Sequence, residues 1–162
     1  MKAGRKSILG AASTALIVFG AATAVFGCVA FVTGLGTYEY AGAGITVGPL
    51  VVGCGFIQAA PGLIGYLWDR AHTDDGFKPT LGRGIVAAVV AFAGIAIDLG
   101  IFGVLRSVCF SGVDELAYAP HAFHVVAAIG FGACVVSIAL LAIFVGGIIL
   151  MLRDDVALMD GE

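Results

Sequence analysis

The chain has 162 residues, 60% of them hydrophobic and 12% charged, with a formal net charge of −3 and a mean hydropathy of +1.10. A soluble domain carries roughly 25% charged residues and needs polar surface over its core, so eight Lys and Arg with eleven Asp and Glu exclude an ordinary water-soluble fold. The charge balance is also too mild to attract nucleic acid or another polyanion.

A hydrocarbon layer of about 30 Å takes about 20 apolar residues per helix. Four runs reach that length: roughly residues 8–32, 47–67, 85–105 and 125–152. Lys2, Arg5 and Lys6 precede the first run, and Ala22-Thr23-Ala24 offers a small-x-small cleavage site, so a signal peptide is one reading. The run continues past that site and exceeds the about 7 to 15 residues of a signal h-region, which favours a retained helix.

A Gly-rich link from Thr33 to Gly44 follows, with Tyr38 and Tyr40 where aromatic rings suit the headgroup zone. The link from Trp68 to Gly84 carries Arg70, Lys78 and Arg83 beside Asp69, Asp74 and Asp75, and Trp68 reads as a further interface marker. The link from Arg106 to His124 has one Arg with Asp114 and Glu115, and Arg153, Asp154 and Asp155 follow the fourth run. Lys and Arg gather at the N-terminus, the Trp68 link and the C-terminal tail. By the positive-inside rule these three segments are cytoplasmic, which an even number of spans allows. The predicted architecture is all-α: a four-transmembrane-helix bundle with both termini cytoplasmic, residues 1–162 forming a single membrane domain, multi-pass in the plasma membrane by default.

Helices in lipid meet through small residues at helical spacing. On the third run Gly84, Ala87, Ala91, Gly94 and Asp98 share one face, with Val86, Val90, Ile97 and Val104 opposite. Ser13, Gly20, Gly27 and Gly34 recur every seven residues on the first run. The fourth has Ala128, Gly132, Ala139, Ala142 and Gly146, and the second begins with Gly44-x-x-x-Gly48 and Gly53-x-Gly55. Spacing near 3.5 suits left-handed crossing.

Asp98 is the one acidic residue within the third run. An intramembrane carboxyl is costly unless it faces the bundle interior, and such a residue is a candidate for function. Asp98 lies about 20 Å and Gln58 about 15 Å from the expected cytoplasmic side at 1.5 Å per residue, close enough in depth to hydrogen-bond if their helices are neighbours. One reading has Asp98 bind and release a proton or a cation. The other, favoured because no basic partner occurs in any span, has a protonated Asp98 bonded to Gln58, Ser137 or a carbonyl and fixing helix register. Pro61 and Gly62 interrupt the second run, where a missing backbone hydrogen bond makes a bend or a hinge.

The chain implies no cofactor. His121-x-x-His124 puts two imidazoles on one helical face, but no third ligand is set by spacing, although Cys109, Asp114 or Glu115 lies in the same link. Both histidines therefore read as solvated, and haem ligation, which needs histidines within two spans, is not supported. Cys28, Cys54, Cys109 and Cys134 fit no zinc or CxxC spacing, and a Cys28–Cys54 disulfide is the one pairing that the topology suggests. No nucleotide or catalytic motif is present, so no enzyme is expected. The expected role is a structural or accessory component of a membrane assembly, partnered by the lipid bilayer and by another membrane protein or further copies of this chain. The alternative is a small proton- or cation-coupled transporter or channel that uses Asp98.

Overall fold

Among the described residues four long helices alternate in direction, with a short hairpin between the first two. The computed structural model describes residues 3–40, 42–75, 81–110 and 118–159. The elements are α1 (Ala3–Val32), β1 (Thr37–Tyr40), β2 (Ala43–Thr46), α2 (Gly48–Asp75), α3 (Leu81–Phe110) and α4 (His121–Met159). All four helices are long and apolar enough to cross a membrane. Each predicted run is a helix, and the helices extend beyond the runs, α2 by eight residues from Leu67 to Asp75. Hydropathy marks where apolar side chains stop, whereas a helix ends where its backbone finds other hydrogen-bond partners. Lys78, Asp114 and Glu115 lie outside the described residues.

The Gly-rich link is not irregular. After α1 the chain turns at Gly34, with φ of 71°, and Gly36 N–H returns to the Ala30 carbonyl at 3.4 Å. That left-handed conformation suits glycine at a helix C-terminus. β1 and β2 then pair antiparallel with Thr37 opposite Thr46, and Gly42, with φ of 81°, is in their turn. The strand signal was present in Thr37-Tyr38-Glu39-Tyr40, a β-branched and aromatic stretch, but four residues are too few to stand out beside long apolar runs. Tyr38 packs on Phe123 at the start of α4, ring centroids 5.9 Å apart. Pro49 falls in the first turn of α2, where its absent N–H costs nothing.

Close approaches define the packing. α1 and α2 run antiparallel: Gly20 faces Gly55, Gly62 faces Ser13 and Leu16, and Gly48 faces Phe31. α3 and α4 are likewise antiparallel, Asp98 meeting Ser137 while Leu105 lies near Gly130. α2 meets α3 where Trp68 lies over Gly84. Leu9 near the start of α1 lies beside Gly147 of α4, so the two terminal helices share an end. Two apolar cores result. One, around Leu16, Trp68, Ala91, Leu141 and Phe144, fills the end near the termini. The other, around Val47, Cys54, Leu105, Phe123 and Cys134, fills the hairpin end.

Four sequence expectations need correction. The Trp68 ring is not on the outer surface, where an interface marker would stand: it is wholly buried, because Gly84 opens a slot that a large ring can fill. The expected α4 seam is turned outward, with Ala128, Gly132, Ala139 and Ala142 exposed. The packed face of α4 instead carries Phe123, Ala127, Cys134, Ser137, Leu141 and Phe144, since large residues here fill the space that glycines leave on α1 and α2. Gly34 lies beyond α1 and is exposed, so the α1 seam ends at Gly27. A methyl added at Gly44 or Gly53 would have nothing within 4 Å, and the α2 seam is Gly48, Gly55 and Gly62 at seven-residue spacing.

Candidate functional site

Between the two apolar cores, polar side chains from three helices converge. On α2, Cys54 and Gln58 are four residues apart and so share a face. On α4, Cys134 and Ser137 do the same at a spacing of three. Asp98 comes from α3. Cys54, Gln58, Asp98, Cys134 and Ser137 are all wholly buried.

The Ser137 hydroxyl donates to Asp98 Oδ2. The Gln58 amide Nε2 donates to Cys54 Sγ at 3.1 Å and to the Ala133 carbonyl at 3.5 Å. Cys134 Sγ lies 3.5 Å from Cys54 Sγ. The remaining oxygens, Asp98 Oδ1 and Gln58 Oε1, have no partner at hydrogen-bond geometry among the described residues. The ligand atoms of Cys54, Asp98 and Cys134 all lie within 4.8 Å of one another. The structure thus brings Gln58 and Asp98 into one cluster, with the Cys54 thiol between them in place of a direct bond. Buried polar atoms without partners are costly, so the groups that satisfy them decide what the cluster does.

The third-helix seam positions Asp98. Gly84, Ala87, Ala91, Gly94 and Asp98 are all buried, while Val86, Ile97 and Val104 on the other face are exposed. Gly94 lets Ile57 of α2 and Leu141 of α4 close over the turn preceding Asp98. α2 continues unbroken through Pro61, and Pro61 and Gly62 are both buried, Gly62 within reach of Ser13 and Leu16 of α1.

The other candidates lie elsewhere. His121 is exposed and His124 half-buried, its ring edge-on to Phe123. Cys28 is exposed while Cys54 is buried, and all four cysteines are free thiols. A shallow groove of about 500 Å³ between α2 and α3, walled by Leu67, Trp68, Arg83 and Val86, lies nearer the termini than Asp98 does. Sequence reasoning paired Cys54 with Cys28 and did not join it to Cys134, because their spacing of 80 residues carries no motif. The available signal was that each shares a helical face with a polar residue, Gln58 or Ser137.

No protein-family model matches the chain, and comparisons with characterised proteins and with solved structures find no match either.

Proposed function

We propose that this chain is a small integral membrane protein that crosses the plasma membrane four times, with both termini cytoplasmic, and serves as a structural or accessory component of a membrane assembly without an enzymatic role. The outer surface carries this reading. Large apolar side chains such as Phe56, Phe92 and Phe110 stand 57% or more exposed, which water would not tolerate over so wide an area and a bilayer would. Within that surface α4 leaves Ala128, Gly132, Ala139 and Ala142 uncovered. Small residues of this kind admit another helix closely, so the uncovered face suits a partner helix or a second copy.

Purification in a mild, lipid-retaining detergent tests the reading. A stoichiometric complex or a homo-oligomer is expected, and Gly132→Leu with Ala139→Leu should reduce it to the monomer. A clean monomer from the unaltered chain overturns the assembly role. Reporter fusions at either terminus should both be active only on the cytoplasmic side.

A second reading, proton- or cation-coupled transport through Asp98, draws support from the convergence of Gln58, Asp98 and Ser137 at one depth. It requires Asp98→Asn to abolish proton-coupled flux in liposomes while the protein stays folded. Unchanged flux in that variant eliminates it.

A further inference from the structure

The buried cluster contains more donor chemistry than a helix-locking hydrogen bond needs. We propose that Cys54, Cys134 and Asp98 bind a thiophilic divalent cation, zinc or one of similar size and preference, with the amide oxygen of Gln58 as the fourth ligand. Such a site goes beyond both roles proposed above and does not depend on either.

Three independent features support it. The first is spacing: ligands about 2.3 Å from a tetrahedral zinc stand about 3.8 Å apart, and the two sulfurs are already 3.5 Å apart. The second is the set of orphaned atoms. Asp98 Oδ1 and Gln58 Oε1 are buried with no partner at strict hydrogen-bond geometry among the described residues, the Cys54 thiol facing the Asp98 carboxyl, and both belong to side chains that border the two thiols. The Gln58 amide group already contacts Cys54 Sγ at 3.1 Å through Nε2. Its oxygen and nitrogen exchange places when the amide turns over, which puts Oε1 beside the sulfurs and gives up the long 3.5 Å bond to the Ala133 carbonyl. The third is the surrounding shell: Ser137 holds Oδ2 of Asp98, leaving Oδ1 as the free lone-pair donor, as partners of metal ligands commonly do.

The donor chemistry selects the ion. Two sulfurs with oxygen donors in a closed set favour zinc over the hard, oxygen-seeking magnesium and calcium. Thiols bind metal as thiolates, so the ion enters as the thiol protons leave. With the Asp98 carboxylate as a third anionic ligand the filled site carries one net negative charge, the same as the empty site with Asp98 ionised, because the ion replaces only the two thiol protons. Since the ligands come from α2, α3 and α4, and the site has no exposed side chain, the bound ion would be a clip between helices, as closed four-ligand zinc sites are.

The test is metal content and spectroscopy of the full-length protein, purified in mild detergent from zinc-supplemented cells. One zinc per chain is expected. Cobalt exchanged for it should show tetrahedral visible bands and thiolate-to-cobalt charge transfer of a strength corresponding to two thiolates. Cys54→Ser and Cys134→Ser should each lose the ion, Ser137→Ala should weaken it by about 10- to 100-fold, Asp98→Asn should weaken it further because it removes a charged ligand, and the Cys28→Ser, Cys109→Ser double variant should bind normally. Helicity measured alongside shows whether each variant folds. If a core variant does not fold, the double variant still decides the matter, because Cys54 and Cys134 are then its only thiols. The proposal is overturned by a folded protein that takes up neither zinc nor cobalt, by binding that survives both Cys54→Ser and Cys134→Ser, or by recovery of Cys54 and Cys134 as a disulfide when thiols are trapped at lysis.

Discussion

The α1–α2 and α3–α4 pairs are both antiparallel helix contacts, yet they are held in opposite ways. Between α1 and α2 side chains are missing: Gly20 approaches Gly55 so closely that a methyl on Gly20 would sit 2.6 Å from the Gly55 carbonyl oxygen. Between α3 and α4 a side chain has been added that apolar packing does not require, the carboxyl of Asp98, and Ser137 is there to meet it. The first contact gains from dispersion over a long, smooth seam. The second contributes specificity, because a buried carboxyl away from its partner is heavily penalised. One seam sets how near the helices come, and the other sets their register.

The comparison can be broken first at the glycine seam. Gly55→Ala places a methyl against the Ala24 amide and 2.6 Å from the Gly20 carbonyl, and backbone cannot step aside as a side-chain tip can. A loss of about 2–3 kcal/mol is expected from overpacking of this kind, read as a lower unfolding midpoint in a detergent titration. At the polar seam, Asp98→Ala strands the Ser137 hydroxyl in the core and should cost about 1–3 kcal/mol. A double-mutant cycle between Asp98→Ala and Ser137→Ala should then yield a coupling of about 1–2 kcal/mol, near the top of the range for hydrogen bonds between membrane helices. Zero coupling would mean that the pair does not set register. The smallest effect belongs to Gly132→Ala. Nothing lies within 4 Å of the added methyl, and alanine favours helix over glycine by up to about 1 kcal/mol, so the isolated chain should be unchanged or slightly more stable.

Much of this arrangement was legible in the residues. The four helices follow from run length, and the α3 seam from Gly84 to Asp98 follows from spacing, because on that one helix face small size and burial coincided. On α4 the same rule pointed to the wrong face. Ala128, Gly132 and Ala139 are small but uncovered, and Phe144 and Leu141 fill the bundle instead. Small residues permit close approach without requiring it, so a stripe marks a seam only if the facing helix supplies a matching surface. Trp68 shows the converse: an aromatic ring that reads as an interface residue is buried because Gly84, on the next helix, leaves room for it.

The sequence by itself determined the number of helices, their apolar character and the presence of a carboxyl at mid-depth, because these depend on local composition and on the 1.5 Å rise of a helix. Tertiary structure alone decided that α1 packs against Gly48, Gly55 and Gly62 of α2, that Ser137 partners Asp98, and that two cysteines 80 residues apart stand 3.5 Å from one another beside that carboxyl. The physical reason is that helical periodicity states which residues share a face, while the choice of facing helix depends on how all four surfaces fit together at once.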